Sequence, residues 1–173
     1  MRHIALLRGI NVGGNNIIKM AELKQALSKL GFTDVATYIQ SGNIAYNTQE
    51  QNTAELAKQI SDCITTNFKL TVPCIVFSQE TVKTIVANTP FTPTENKFLH
   101  FTFFDQKPSA SKQADFLNKV IPPDECLIVN EGAYVHCPNG YSKTKLTYQL
   151  FEKTFGLTAT ARNWNSCLKL CEL

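Results

Sequence analysis

At 173 residues the chain is long enough for one sizeable domain or two small ones. Its 43% apolar and 18% charged content excludes a disordered or fibrous protein. A net charge of +3 permits an anionic partner without demanding a nucleic acid.

The amino-terminal apolar run, Ile4 to Leu7, is too short for a signal-peptide core or a membrane span. The expectation is a cytoplasmic protein with no membrane partner. The six cysteines, Cys63, Cys74, Cys126, Cys137, Cys167 and Cys171, contain no Cys-x-x-Cys pair, and the closest two, Cys167 and Cys171, supply only two ligands. With His3, His100 and His136 scattered, no metal site is expected, and the thiols read as buried and reduced.

In chain order, His3 to Leu7 reads as an apolar strand that runs into a loop, Arg8 to Asn16, rich in Gly and Asn. Met20, Leu23, Leu27 and Leu30 recur at helical spacing, and Gly31 stands where a helix-ending glycine belongs. Val35 to Gln40 and Ile44 to Tyr46 form a hairpin across Ser41-Gly42-Asn43. Asn52 with Glu55 resembles a capping box ahead of Leu56, Ile60, Ile64 and Phe68. Val72 to Phe77 is a fourth strand, which Pro73 assigns to a sheet edge. Ser78 caps a linker helix carrying Val82, Ile85 and Val86, which ends before Pro90 and Pro93.

The same order then returns. Phe98 to Phe104 is a strand and Ser109 to Val120 a helix. Cys126 to Asn130 and Ala133 to Cys137 form a hairpin across Glu131-Gly132, so that Gly42 recurs as Gly132. Ser142 is expected to cap a helix bearing Leu146, Leu150 and Phe155, with Gly156 past its end and a strand over Thr158 to Ala161. A closing helix carries Trp164, Leu168 and Cys171. Two successive strand-helix-strand-strand-helix-strand runs predict an α+β protein of two ferredoxin-like (βαββαβ) subdomains, each with two helices on a four-stranded antiparallel sheet. Residues 1–78 form the first half, 79–96 the linker helix and loop, and 97–173 the second half with its closing helix.

This topology gathers polar loops at shared sheet ends. One end of the first copy holds Arg8 to Ile18, Ser41 to Asn43 and Lys69 to Thr71; the opposite end of the second holds Pro138 to Lys143 and Arg162 to Trp164. Three runs, LLRGINVGG followed by Lys19-Met20, then TYIQSGN, then TARNWN, resemble domain-of-unknown-function family 1697, a group of mostly bacterial uncharacterised proteins. The resemblance spans essentially the whole chain. It implies the same pair of ferredoxin-like subdomains and brings no established reaction, substrate or catalytic residue.

Gly13-Gly14 lies between a strand and a helix, where backbone N–H groups can approach a phosphate, although the spacing is neither a P-loop nor a dinucleotide fingerprint. Tight-turn geometry alone is the more frequent explanation of such glycines. Ser142 as nucleophile lacks a histidine or carboxylate at a spacing that marks a base, so no residue is assigned a catalytic role. The leading expectation is an anionic small molecule, a nucleotide or phosphorylated metabolite, bound by Arg8, Asn11, Gly13, Gly14, Lys19, Ser41 and Asn43, with Lys143, Arg162 and Asn163 contributing if the two clusters face one another across a cleft. The residues name no cofactor and fix no oligomeric state. Phe98, Phe101, Phe103, Phe104 and Tyr134 keep an RNA-binding sheet in view, against the simpler reading of core packing, and a protein-interaction module is the third alternative.

Overall fold

The computed structural model describes residues 1–173. Strand β1 (Arg2–Leu7) is followed by α1 (Met20–Lys29), β2 (Thr33–Tyr38), β3 (Asn43–Asn47), α2 (Thr53–Phe68) and β4 (Cys74–Ser78). After α3 (Gln79–Ala87) come β5 (Leu99–Phe104), α4 (Ala110–Leu117), β6 (Glu125–Val129), β7 (Gly132–His136), α5 (Tyr148–Phe155), β8 (Ala159–Asn163) and α6 (Trp164–Leu170). The strands make two antiparallel sheets, ordered β2-β3-β1-β4 and β6-β7-β5-β8. The protein is therefore α+β, and its two βαββαβ runs each build one four-stranded sheet.

The chain forms two compact units, Met1–Thr84 with Lys169–Leu173, and Ile85–Leu168. The last residues join the first unit through polar ties. The Gln79 amide donates to the carbonyls of Leu170, Cys171 and Leu173, and the Arg2 guanidinium also donates to Leu173.

In the first unit, Ala5, Leu7, Ile44 and Tyr46 face Leu23 and Leu27 of α1 and Leu56, Ile60 and Ile64 of α2. Period two in the strands thus meets the helical stripes read from sequence. Each fully buried Leu or Ile there contributes roughly 1.5–3 kcal/mol relative to exposure. Asn52 caps α2 by accepting from the N–H groups of Ala54 and Glu55 at 3.1 and 3.2 Å. Glu55 does not complete the capping box: the Asn52 N–H donates to Glu50 Oε1 at 2.7 Å instead, because that carboxylate lies two residues upstream of the cap. β4 pairs only with β1 and begins just after Pro73, an edge strand as the proline requires.

In the second unit a ring cluster fills the space between helices and sheet: Phe116 stacks on Phe151 at 4.8 Å, and Phe104 lies 5.3 Å from Phe151. Ser142 does not cap a helix. Tyr141–Lys143 form a single 3-10 turn, and α5 begins only at Tyr148. The Thr144 hydroxyl explains the delay: it donates to Asp124 Oδ2 at 2.6 Å and accepts from the Leu146 N–H, holding Thr144 extended.

The two hairpin glycines are not equivalent. Asn43 pairs with Leu6 where Gly132 pairs with Phe103, and the carbonyl that receives the next β1 or β5 N–H belongs to Gly42 in one sheet and Glu131 in the other. Each glycine nevertheless answers a close approach. A Cβ on Gly42 would lie 2.5 Å from Leu7 Cβ, and one on Gly132 would lie 2.0 Å from the Thr102 carbonyl oxygen.

Candidate functional site

The loop between β1 and α1 is built by its own amides. Gly13 and Gly14, at φ 57° and 77°, are the central pair of a turn closed by the Asn15 N–H on the Val12 carbonyl at 3.0 Å. Two consecutive left-handed residues are the geometry of a tight reverse hairpin, which glycine adopts freely. Both stand in solvent, and Asn15 to Lys19 separate them from the first helical residue, Met20. Asn11, also left-handed at φ 53°, works as a staple: its Nδ2 donates to Ile18 O at 3.0 Å and Gln40 O at 2.9 Å, and its Oδ1 accepts from the Ile18 N–H at 2.9 Å. Asn16 Nδ2 donates to Gly9 O.

The neighbouring hairpin is tied in a similar way. Asn43 is fully buried, and its Nδ2 donates to Tyr38 O at 3.2 Å and Ser41 Oγ at 2.9 Å. The structure therefore brings Asn11 to the hairpin of Ser41 and Asn43, through Gln40. Arg8 leaves β1 with its N–H on the Pro73 carbonyl. Lys19 is exposed, with its ammonium 3.3 Å from Glu22 Oε1. Within this cluster the amides of Asn11 and Asn43 are occupied by backbone and neighbouring side chains.

Arg162 and Asn163 sit at the end of β8. Arg162 is buried, its Nη1 donates to Thr160 Oγ1 at 2.8 Å and Ala161 O at 2.9 Å, and burial pushes the guanidinium down to about 10. Asn163 is the cap of α6, accepting from the Ser166 N–H at 2.8 Å. Trp164 packs beside Tyr134, whose hydroxyl donates to Ile85 O at 2.7 Å. On the sheet face opposite the helices, Phe101 meets Phe103 and Tyr134 edge to face, each pair at 4.8 Å. All three rings are buried, as is Phe104, so none offers a face on which a base could stack.

Lys143 lies elsewhere in the second unit, on a cleft of about 340 Å³ between the segments Lys119–Asp124 and Asn139–Leu146. Three lysines, Lys119, Lys143 and Lys145, line it with Asn139, over a floor of Pro122, Pro123 and Leu146. Asp124 is the one carboxylate among the lining residues, and it is engaged by the Thr144 hydroxyl. Lys19, Lys58, Lys83, Lys97 and Lys169 each pair with a carboxylate within 4 Å; the three cleft lysines make no such pair.

Sequence reading named Lys143 and placed Asn139 in the same polar loop, whereas Lys119 and Lys145 were not among its candidates. The signal was topological. β6 starts where β7 ends, with Glu125 opposite His136, so the loop entering β6 must lie beside the loop leaving β7.

His3 and His100 occupy matching strand positions, and each stacks on a tyrosine from a different kind of element, Tyr46 of β3 and the half-buried Tyr141 of the 3-10 turn. His3 stacks on Tyr46 at 5.9 Å and His100 on Tyr141 at 4.0 Å. Burial holds both imidazoles below their ordinary range, His100 at about 4. All six cysteines are free, and burial pushes the Cys126 and Cys137 thiols up to about 12, which keeps them protonated and unreactive. No group of three or more His, Cys, Asp or Glu side chains is placed to hold a metal ion, and no helix is long and apolar enough to cross a membrane.

A family model described as protein of unknown function (DUF1697) matches residues 1–134. The chain belongs to this family. A conserved bacterial protein from Streptococcus pneumoniae has a similar solved structure: 25% sequence identity, a TM-score of 0.79, and coverage of 99% of this chain and 97% of that one. No curated protein matches the sequence. In this DUF1697 member the first two motif runs, with Arg8 to Met20 and Gln40 to Asn43, lie inside the matched span, whereas Arg162-Asn163-Trp164 lies beyond it.

Proposed function

We propose that this protein binds an anionic small molecule in the cleft of Lys119, Lys143 and Lys145. The observation that carries the reading is three lysines without carboxylate partners lining one concavity, with the Asn139 amide available to orient a ligand. The volume of about 340 Å³ is in the range of small-ligand sites. The glycine-rich loop of the first unit supports the reading less well, since Asn11 and Asn43 are committed to backbone and Lys19 has a carboxylate neighbour. The reduced cysteines and the lack of a membrane-spanning helix suit a cytoplasmic setting.

The test is a thermal-shift titration with inorganic pyrophosphate. Binding to the folded state alone at 100-fold excess over Kd stabilises by about 2.7 kcal/mol, a shift of several degrees. The shift is expected to vanish in Lys143→Ala combined with Lys145→Ala. A shift that survives both substitutions, or no shift in the unmodified protein, overturns the assignment.

A further inference from the structure

Beside the lysine cleft lies a second concavity of about 320 Å³, lined by Phe116, Lys119, Ile121, Lys145, Leu146, Leu150 and Thr154. The two share four lining residues, Lys119, Ile121, Lys145 and Leu146, and so lie side by side. The two ends of this pair differ in chemistry. The first end adds Lys143, Asn139 and Asp124; the second adds the ring of Phe116, the side chain of Leu150 and only the hydroxyl of Thr154 as a polar group. Ile121, at the junction, is 62% exposed although large and apolar.

From this polarity we infer that the ligand is an organic phosphate with an apolar body, its head among the three lysines and its body over Phe116, Ile121 and Leu150. The inference rests on the anion reading above and narrows it. Charge complementarity supports the phosphate. Three ammonium groups and one carboxylate, 3 − 1, leave +2 around the head position, and a phosphomonoester carries about −1.5 to −2 at neutral pH. Inorganic phosphate satisfies only the first concavity. An aryl or short acyl body covers the second and removes its apolar wall from water.

The experiment compares inorganic phosphate, 1-naphthyl phosphate and 1-naphthol by isothermal calorimetry on the full chain. 1-Naphthyl phosphate is expected to bind about tenfold or more tightly than inorganic phosphate, the gain that burying one aromatic body supplies. Leu150→Gln is expected to abolish that advantage and leave the affinity for inorganic phosphate unchanged. Ile121→Ser, at an exposed position shared by both concavities, is expected to lower the affinity for 1-naphthyl phosphate more than that for inorganic phosphate while leaving the core intact. Equal affinity for the two phosphates overturns the apolar-body inference while the anion site stands. Tight binding of 1-naphthol alone overturns it too, because the head then contributes nothing. If neither phosphate binds, or if binding survives Lys143→Ala with Lys145→Ala, the anion site falls and this inference with it.

Discussion

The two units share a strand order and differ in what their polar loops do. At the loop end of the first unit, asparagine amides bond to backbone: Asn11 to Ile18 and Gln40, Asn16 to Gly9, Asn43 to Tyr38. At the cleft of the second unit, Lys119, Lys143 and Lys145 face solvent without carboxylate partners. A polar residue that satisfies buried backbone contributes about 1 kcal/mol per bond and costs more to remove, whereas an exposed lysine contributes little to folding. The contrast teaches that a richly polar motif can serve as a fastening, and it is the uncommitted charge of the second unit on which the proposed anion site rests.

The largest effect is expected where the two hairpins meet their first strands. Gly132→Ala drives a Cβ to 2.0 Å from the Thr102 carbonyl oxygen, a backbone atom that cannot rotate away, and is expected to destabilise by about 3 kcal/mol or more. Gly42→Ala meets Leu7 Cβ at 2.5 Å and should cost about 2–3 kcal/mol, including the strain of its φ of 81°. Urea denaturation of both variants checks this. A neutral Gly132→Ala would mean that the second hairpin is placed differently from the first.

The buried His100 makes stability depend on pH. Above pH 6.5 the His100 ring is neutral in both folded and unfolded chains. Between 6.5 and about 4 the unfolded chain takes up a proton that the buried ring refuses, so stability falls as pH falls, by about 3 kcal/mol in all, and levels off below. His100→Phe preserves a ring against Tyr141 and is expected to flatten that segment of the stability–pH curve. An unchanged slope would assign the titration to other groups.

Asn11→Ala removes two donated bonds and one accepted bond in the first unit and should lower stability by about 2 kcal/mol. Lys143→Ala should stay within about 0.5 kcal/mol of the parent protein. If the two losses were equal, the distinction between fastening and site would dissolve.

Most of the architecture was legible in the residues, because strand alternation, helical stripes and turn glycines agree with one another along the chain. Asn52 announced its helix, and Pro73 its edge strand. What stayed hidden depended on tertiary bonds between segments. The Thr144–Asp124 hydrogen bond displaced the start of α5 from Ser142 to Tyr148, and Glu50 took the capping role assigned to Glu55. In the closing helix the spacing pointed to Trp164, Leu168 and Cys171, but the buried positions are Trp164, Ser166, Cys167 and Leu170. The cleft was half visible: Lys143 stood out beside a turn, but its partners Lys119 and Lys145 acquire meaning only once β6 and β7 are paired.

The smallest expected change is a gain. Ile39 is exposed and held at φ 50°, a left-handed conformation that disfavours β-branched side chains by roughly 1–2 kcal/mol. Ile39→Asn is expected to raise stability by about 1 kcal/mol in thermal unfolding. No gain would mean that the hairpin is not strained there.

The proposed anion site is tested most directly by a ¹⁵N–¹H NMR titration of the full chain with pyrophosphate. The expected result is saturable shifts in the amides of Lys119, Asn139, Lys143 and Lys145, with Gly13, Gly14 and Lys19 unmoved. Shifts that saturate in the glycine loop and leave those four amides still would contradict the assignment.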